Sequence, residues 1–248
     1  HKTEVLTDVA FMQSVNMLPV IVHGGGPTLS KRLEEKGIKS EFVNGHRVTR
    51  EGGVQEIQET MNLDINPEYV RILQQLGAQA KEVHGEDIIT AVKKTETDHE
   101  TGAAVDLGFV GVPLQVDTTY IQRMLLKKII PVITPLGKGA DGQIYNINAD
   151  LSAAAVAIAL KARKLVYLAD IPGVMRDTND PHTLISELYI DEIEGLKRQG
   201  IIKGGMLPKT ESAQETLRAG VENVHFIDGR LKHALLLELF TDSGIGTI

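Results

Sequence analysis

The stretch LPVIVHGGGPTLSKRLEEK, Leu18 to Lys36, contains the pattern that decides the fold class. Its first five residues, Leu18 to Val22, form an apolar run that is typical of a buried strand. Three glycines separate this run from an amphipathic window at Thr28 to Lys36. A strand that turns directly into a helix is the repeating unit of parallel sheets covered by helices. The segment therefore predicts an α/β protein.

The same alternation continues along the chain. Further buried strands are predicted at Ile129–Thr134, Lys164–Leu168 and Asn223–Ile227. Helices are predicted at Gly52–Met61, Pro67–Leu76, Asp150–Lys161, Ile190–Gln199, Thr210–Ala219 and His233–Phe240, and the first fifteen residues also have helical spacing. Alternating apolar residues between Lys93 and Pro113 predict antiparallel strands or a hairpin. We expect a continuous division into two lobes near Ala162.

Composition excludes several classes of protein. The 248 residues include no cysteine, which excludes a disulfide framework and a thiolate nucleophile and favours a reducing, cytoplasmic location. The net charge of -7 disfavours nucleic acid as the main partner. No apolar run reaches the roughly 18 residues of a transmembrane helix. The sequence therefore predicts a soluble protein that binds small molecules.

Three glycines, Gly24 to Gly26, follow the first strand in the motif VHGGGP. Glycine lets a charged ligand approach main-chain amides closely, and the helix that follows adds partial positive charge. The spacing matches neither GxGxxG nor GxxxxGK[ST], so dinucleotide and Walker A sites are not predicted. The motif indicates either an anion site of another kind or a tight turn between strand and helix.

The motif FVNGHRVT, Phe42 to Thr49, contains a predicted turn at Asn44 and Gly45 with Arg47 just beyond it. A guanidinium held there can bind a carboxylate through two parallel hydrogen bonds. The alternative is a surface arginine in a hairpin. The residues alone do not decide between the two interpretations.

The motif YNINADLSAAA, Tyr145 to Ala155, leads into a helix of small residues. Asn146 and Asn148 can offer directional amide contacts. Asp150 either caps the helix or orients other catalytic groups. Capping alone explains the aspartate but not both asparagines.

Two glycine-containing motifs lie in the second half of the chain. In LADIPGVM, Leu168 to Met175, a strand delivers Asp170 to a turn, which is either an ordinary turn or a ligand site at the sheet edge. KGGMLPK, Lys203 to Lys209, is predicted to be a loop that presents Lys209 just before a helix. Such a lysine can neutralise charge on a transferring phosphoryl group, or it can be merely solvated. The residues of HFIDGR, His225 to Arg230, indicate no particular chemistry.

Taken in order, the motifs resemble those of the acetylglutamate kinases, within the amino acid kinase family. The matching segments are VHGGGP, NGHRVT, NINAD, LADIPGV, GGMLPK, IDGR and GIGT. They cover nearly the whole chain, and NGxRVT, NINAD and GGMxPK distinguish this family from carbamate and aspartate kinases. The resemblance implies a three-layer αβα sandwich with a mainly parallel central sheet. Residues 1–162 are then expected to bind the acyl amino acid and form a dimer, and residues 163–248 to bind ATP.

The resemblance also implies roles for individual residues. Gly24, Gly25 and Gly26 are expected at the reacting carboxylate and the γ-phosphate, and Arg47 and Asn146 are expected to bind N-acetyl-L-glutamate. Asp150 is expected to organise the catalytic lysines, and Lys209 to stabilise the transferring phosphoryl group. The residues expected to border the nucleotide are Asp170, Gly173, Val174, Ile201, Ile202, Lys203, Gly205 and Met206.

The implied reaction moves the terminal phosphoryl group of ATP, with Mg²⁺, to the γ-carboxylate of N-acetyl-L-glutamate in arginine biosynthesis. The attacking carboxylate is already ionised near neutral pH, so no general base is needed. The resemblance further implies a cytoplasmic homodimer or larger homo-oligomer. The segment from His233 to Thr247 resembles the region that forms an L-arginine feedback site in some members, a hypothesis that rests on His233, Glu238 and the GIGT turn.

Several segments depart from the family pattern. The family's first strand and its KxGG lysine do not occur in the chain, which predicts a loss of about 10² to 10³ in turnover if no other group replaces that lysine. His46 stands where the family usually has an apolar residue, and EVHGED (Glu82 to Asp87) and NLDINP (Asn62 to Pro67) are also unusual. Two alternatives therefore stay open: a kinase for a related carboxylate, and a sensor that binds its ligands without turnover.

Overall fold

Helices alternate with mainly parallel strands in the computed structural model, which describes residues 2–43, 46–97 and 104–248. The helices are α1 (Lys2–Ser14), α2 (Gly26–Glu35), α3 (Gly53–Glu59), α4 (Asn66–Gln75), α5 (Thr119–Leu126), α6 (Ala149–Leu160), α7 (Ile190–Arg198), α8 (Met206–Arg218) and α9 (Ala234–Phe240). The strands are β1 (Ile21–Val22), β2 (Phe42–Val43), β3 (His46–Arg47), β4 (Ala80–Val83), β5 (Ile89–Lys93), β6 (Glu96–Thr97), β7 (Ala104–Val105), β8 (Val110–Val116), β9 (Ile130–Ile133), β10 (Leu136–Lys138), β11 (Ile144–Ile147), β12 (Lys164–Ala169) and β13 (Asn223–Asp228). The predicted α/β class is confirmed.

The chain divides into two compact units. The central unit is Leu18–Ala159, and the terminal unit combines the segment up to Met17 with Leu160–Ile248. The predicted division at residues 1–162 and 163–248 stays a prediction about function. The two compact units differ from this predicted division in their first residues, because helix α1 contacts α9 and belongs to the terminal unit.

The central unit contains a parallel sheet in the order β1-β9-β4. The middle strand β9 is buried along its whole length, which explains its continuous apolar sequence. Strands β5, β8, β10 and β11 close a small barrel beside it. The barrel includes the antiparallel pair of β5 and β8, and β6 pairs antiparallel with β7. The antiparallel strands predicted within Lys93–Pro113 are therefore confirmed.

In the terminal unit, β12 and β13 pair in parallel over six residues each, from Lys164 opposite Asn223 to Ala169 opposite Asp228. Helix α1 packs on α9 through the rings of Phe11 and Phe240, whose centroids are 6.1 Å apart. His233 Nδ1 lies 2.7 Å from the buried carboxylate of Asp8 at the same contact. The contact between α1 and α9 thus joins the two chain segments that make up the terminal unit.

The helix around KGGMLPK begins earlier than the sequence predicts. Helix α8 starts at Met206 rather than at Thr210, so Lys209 lies in the helix and not on a loop before it. Pro208 is compatible with this start because the first turn of a helix does not use the amide hydrogens that proline lacks. The predicted loop position of Lys209 was therefore wrong.

Helix α3 does not end where the sequence predicts either. It continues through a π-helix at Thr60–Ile65 directly into α4, so the NLDINP segment is helical. The sequence prediction also missed β4 and α5. Strand β4 was missed because charged Lys81 and Glu82 occupy its middle.

Replacing Gly85 with alanine is expected to lower the free energy of unfolding by about 3 kcal/mol. Gly85 is buried, and a Cβ built there lies 2.1 Å from the carbonyl oxygen of Thr134 and 2.4 Å from that of Leu136. Main-chain atoms cannot move aside as a flexible side chain can. Urea unfolding followed by circular dichroism measures the effect.

Gly195→Ala is the matched control, because a Cβ built on this glycine of α7 meets no atom within 4 Å. It is expected to raise the free energy of unfolding by about 0.5 to 1 kcal/mol through helix propensity. Equal urea midpoints for the two variants would contradict the account of Gly85.

Candidate functional site

A cavity of about 290 Å³ lies in the central unit, where β1 leads into α2 and where β3 and β11 end. All five residues that the sequence nominates for binding the amino acid line it: Gly24, Gly25, Gly26, Arg47 and Asn146. The other lining residues are Leu29, Ser30, Phe42, His46, Met61, Val110, Pro135, Ile147, Asn148 and Ala149. The wall thus combines polar groups with an apolar surface.

The glycine turn leaves main-chain groups open on one side of the cavity. Gly25 is the N-cap residue of α2, and no side chain among the described residues caps this helix. A Cβ on Gly25 would lie 2.5 Å from the side chain of Leu29 and 2.9 Å from that of Met61, so a larger residue does not fit. Gly26 has φ of +51°, a conformation that favours glycine. The ten-residue α2 therefore directs its positive end and accessible amides to this site.

Arg47 is held at the cavity by three contacts. Its guanidinium carbon lies 4.5 Å from the ring centroid of Phe42, its partner across the β2–β3 pair. Nη2 donates a hydrogen bond to Ser30 Oγ over 2.9 Å, and Nη1 donates to Ser40 Oγ. Burial lowers the pKa of Arg47, but a guanidinium stays protonated in proteins. The site thus contains an oriented cation whose partners are neutral hydroxyls.

Asn146 is connected to the same strand. Its side-chain Nδ2 donates to Thr49 Oγ1 over 3.2 Å, and Thr49 Oγ1 donates to the carbonyl oxygen of Arg47 over 2.9 Å. Asn146 and Thr49 are both buried. A change in the position of Asn146 is thereby coupled to the strand that holds the arginine.

Asn148, rather than Asp150, caps α6. Its Oδ1 accepts hydrogen bonds from the main-chain nitrogens of Asp150 (2.8 Å) and Leu151 (3.3 Å). Asp150 is the second residue of the helix. The interpretation of Asp150 as the cap is therefore wrong, and the cap explains one of the two asparagines.

His46 is a polar residue of the cavity wall to which the sequence analysis assigned no role. His46 is only 8% exposed. Within the described part of the chain, its Nδ1 has no hydrogen-bond partner. Burial lowers the pKa of His46, and the positive charge of Lys94 lowers it further, against a smaller opposing effect of Glu96. An unpaired buried polar group costs about 1 to 3 kcal/mol. The sequence does not show that His46 is buried or that its Nδ1 is unpaired, and only the structure reveals both.

The residues nominated for the nucleotide all lie in the terminal unit. Four of them belong to one apolar cluster with Ile193 and Leu196: Val174, Ile201, Ile202 and Met206. Val174 and Ile202 are buried, so a nucleotide can contact only their main chain. Lys203 and Gly205 are exposed just before α8, and Asp170 is exposed just after β12. Gly173 is buried with φ of +150°, and a Cβ there would lie 2.5 Å from Thr247 Oγ1.

Lys209 lies at the start of α8, where its Nζ is 5.6 Å from the ring centroid of Tyr167. The hydroxyl of Tyr167 is hydrogen-bonded to Ser212 Oγ over 3.0 Å, one turn further along the same helix. A cation over an aromatic face is attracted to it. The lysine is therefore positioned by the ring of a buried strand residue.

The HFIDGR motif contains an ion pair that the sequence analysis did not identify. Arg230 donates from Nε and Nη2 to the carboxylate of Asp228 over 2.9 Å and 2.7 Å. This bond lowers the pKa of Asp228 and raises that of Arg230, which the charge of Asp170 raises further. The signal in the sequence is an acid and an arginine directly after a buried strand. The pair places a guanidinium at the ends of β12 and β13.

His225 and Glu238 form a buried pair in this unit. The distance between His225 Nδ1 and Glu238 Oε1 is 2.6 Å, and Glu238 Oε2 accepts from the main-chain nitrogens of Ile245 (2.7 Å) and Gly246 (3.0 Å). Burial alone raises the pKa of Glu238, but these hydrogen bonds outweigh it and the pKa is lowered. Glu238 therefore ties the GIGT segment to α9.

Within residues 2–43, 46–97 and 104–248, no group of three or more His, Asp or Glu side chains is arranged to hold a metal ion. Over the same residues, no helix combines the length and the apolar character needed to cross a membrane.

Comparison with known proteins agrees with the fold and the motifs. The sequence model of the amino acid kinase family matches residues 2–228. The acetylglutamate kinase of Heliobacterium modesticaldum is 44% identical over 252 positions, which cover all of this chain and 85% of that protein. The acetylglutamate kinase of Carboxydothermus hydrogenoformans is 43% identical, and the match again covers all of this chain and 85% of that protein.

A solved structure is also similar to this chain. The crystal structure of N-acetylglutamate synthase from Neisseria gonorrhoeae, complexed with coenzyme A and N-acetyl-glutamate, is 26% identical with a TM-score of 0.81. The match covers 99% of this chain and 55% of the synthase.

Proposed function

Because the chain belongs to the amino acid kinase family, we propose that it is an acetylglutamate kinase, which transfers the γ-phosphoryl group of ATP to the γ-carboxylate of N-acetyl-L-glutamate in arginine biosynthesis. Similarity over the whole chain to relatives of that name supports this proposal. The observation that carries it is the cavity in which a glycine turn, Arg47 and Asn146 meet. No feature of the described residues favours the two alternative functions.

The amino acid substrate has two carboxylates, and the cavity offers two different anion sites. We assign the α-carboxylate to Arg47, because a guanidinium binds a carboxylate through two hydrogen bonds and its present partners are neutral hydroxyls. Asn146 supplies a directional amide at the same wall. The γ-carboxylate then lies toward the glycine turn.

The glycine turn, Gly24 to Gly26, binds the reacting carboxylate and phosphoryl groups. Phosphoryl transfer between a carboxylate and ATP brings two anions together, so positioning and charge stabilisation supply most of the catalysis. Accessible amides and the positive end of α2 stabilise negative charge there. The γ-carboxylate is ionised near neutral pH and attacks without a general base.

We assign ATP to the terminal unit. The nucleotide borders the exposed residues Asp170, Lys203 and Gly205 and the Gly173 turn, with main-chain contacts at the buried Val174 and Ile202. Lys209 stabilises the transferring phosphoryl group. Asp150, whose helix is capped by Asn148, orients the catalytic lysines.

In this proposal a magnesium ion arrives with the nucleotide. Mg²⁺ in kinases is usually held by substrate phosphates and one or two carboxylates, and no carboxylate-rich cluster is present among the described residues. When bound, the ion neutralises phosphate charge.

Four further assignments belong to the same proposal. The enzyme is cytoplasmic, it acts as a homodimer or larger homo-oligomer, and residues 1–162 and 163–248 divide the binding of amino acid and ATP. The segment from His233 to Thr247, in which Glu238 accepts hydrogen bonds from the main-chain nitrogens of Ile245 and Gly246, is an L-arginine effector site. An absence of any effect of L-arginine on turnover and on Tm would rule out the effector site.

The test is turnover by the 248-residue chain with MgATP and N-acetyl-L-glutamate. We expect ADP release matched by an acyl phosphate that hydroxylamine traps as a hydroxamate. N-acetyl-L-aspartate, which is one methylene shorter, and L-glutamate, which has a free amine, are expected to react with a kcat/KM at least about tenfold lower, since one methylene is worth about 10- to 200-fold. A higher kcat/KM for either analogue would assign a different substrate. Saturable binding of N-acetyl-L-glutamate without any product would instead identify a sensor.

A further inference from the structure

We propose that Thr247 is a positioning residue for the nucleotide, because its buried hydroxyl holds the main chain of the turn at Gly173 and Val174. This inference rests on the proposed function and deepens it, since that turn belongs to the assigned ATP site. It gives the threonine of the GIGT segment a role in the binding of ATP.

The hydroxyl of Thr247 connects two segments of the terminal unit. Its Oγ1 accepts a hydrogen bond from the main-chain nitrogen of Val174 over 2.9 Å and donates one to the carbonyl oxygen of Ile185 over 2.6 Å. The nitrogen of Ile185 donates in turn to the carbonyl oxygen of Val174 over 2.8 Å. A hydroxyl can donate and accept at the same time, so this one side chain satisfies a main-chain group on each segment.

The main chain of Thr247 is itself fixed by strand β13. Its nitrogen donates to the carbonyl oxygen of Phe226 over 3.0 Å, and its carbonyl oxygen accepts from the nitrogen of Phe226 over 2.8 Å. Phe226 and Thr247 are both buried, and Phe226 lies within β13. The hydroxyl therefore extends from a main-chain position that the strand determines.

The same strand also determines the other end of the turn. Ala169 is the last residue of β12, and its carbonyl oxygen accepts a hydrogen bond over 2.9 Å from the nitrogen of Gly229, which directly follows β13. Thr247 holds Val174 at the far end. The turn from Asp170 to Gly173 is thus held at both ends by groups that β13 positions. A shift at Val174 moves the residues that are assigned to the nucleotide.

The shape of the turn agrees with this role. Gly173 has φ of +150°, and a Cβ built on it lies 2.5 Å from Thr247 Oγ1 and 3.1 Å from Thr247 N. The threonine therefore occupies the space that a side chain at position 173 would need, and glycine permits this close approach. The path of the turn and the position of the hydroxyl depend on each other.

The test compares Thr247→Val with Thr247→Ser in the full chain. Valine has nearly the shape of threonine but replaces Oγ1 with a methyl group, which leaves the buried N–H of Val174 without its acceptor. We expect Thr247→Val to raise KM for MgATP about tenfold, with kcat within about threefold of wild type and KM for N-acetyl-L-glutamate unchanged. Thr247→Ser keeps the hydroxyl and is expected to keep KM for MgATP within about twofold.

Thr216→Val is the matched control. Thr216 is another buried threonine of the terminal unit, and its Oγ1 donates to the carbonyl oxygen of Ser212 over 2.7 Å. We expect this variant to leave both KM values unchanged, and Tm measurements establish that each variant is folded at the assay temperature. If Thr247→Val does not fold, Thr247→Ala takes its place with the same expectation, since alanine removes the hydroxyl without placing a methyl group against the N–H of Val174.

Two kinetic results would overturn the inference. The first is an unchanged KM for MgATP in the folded Thr247 variant that lacks the hydroxyl. The second is an equal rise in KM for MgATP and for N-acetyl-L-glutamate, because a general loss of structure affects both substrates, whereas a displaced nucleotide turn affects ATP alone.

Failure of the proposed function has a different signature. In that case the wild-type chain forms no hydroxamate, whatever residue occupies position 247. Isothermal titration calorimetry with MgATP alone then decides the inference. About tenfold weaker binding to Thr247→Val than to wild type supports it, and equal or undetectable binding to both proteins overturns it.

Discussion

Arg47→Ala is expected to lower kcat/KM for N-acetyl-L-glutamate by about 10³-fold, the largest effect that we expect from a single substitution in the cavity. The guanidinium is oriented by Ser30 and Ser40 and by the ring of Phe42 before substrate arrives. Replacing Arg47 with alanine removes the cation that is expected to pair with the α-carboxylate of the substrate in this partly buried site. Steady-state kinetics with varied N-acetyl-L-glutamate measures the loss.

The matched controls use the neighbouring arginine and a lysine substitution. Arg50 lies three residues further on, exposed, with an ion pair of 3.4 Å to Asp106, so Arg50→Ala is expected to change kcat/KM by no more than about twofold. Arg47→Lys keeps the charge but loses the planar fork, and we expect it to recover only part of the activity. Equal kinetics for Arg47→Ala and Arg50→Ala would exclude Arg47 from the substrate site.

Lys209→Ala is expected to lower kcat by about 10² to 10³-fold with KM for N-acetyl-L-glutamate within a few-fold of wild type. A lysine that stabilises charge on the transferring phosphoryl group acts mainly in the transition state, so its loss reduces turnover more than binding. The first turn of α8 and the ring of Tyr167 hold this side chain in place. Single-turnover measurements with MgATP separate this loss from slow product release.

Lys197→Ala is the control for Lys209, since Lys197 pairs with Glu194 and Glu211 on the surface of the same unit. We expect it to leave kcat unchanged. If Lys209→Ala raised KM for ATP and left kcat intact, the lysine would bind the nucleotide in the ground state only, and its assigned catalytic role would be wrong.

Five residues of the cavity were predictable because they belong to recognisable motifs. Gly24 to Gly26 follow a buried strand, and Arg47 and Asn146 belong to motifs with characteristic neighbours. Their convergence was not predictable from physical reasoning on the residues alone, since Arg47 and Asn146 are 99 positions apart in sequence and Arg47 could equally be a surface arginine in a hairpin. The motif series as a whole supplied that information.

Other features depended on tertiary contacts that no local pattern encodes. The choice of Asn148 over Asp150 as the cap of α6 is decided by where the chain leaves β11. The burial of His46 depends on packing around a short strand. The early start of α8 was missed because two glycines and a proline near Lys209 resemble a loop, although the first turn of a helix accepts proline.

The contact of α1 with α9 has a consequence for the order in which the chain folds during synthesis. The central unit, Leu18–Ala159, is continuous, so all of it can leave the ribosome and fold while Leu160–Ile248 is still being made. Helix α1 is translated before the central unit but finds its partner, α9, only after the central unit has been made. In the meantime the apolar side of α1, including Leu6 and Val9, stays without the surface that buries it. Helix α1 thus emerges before the central unit and docks after it, so a translating ribosome exposes α1 to chaperones while the whole central unit is synthesised.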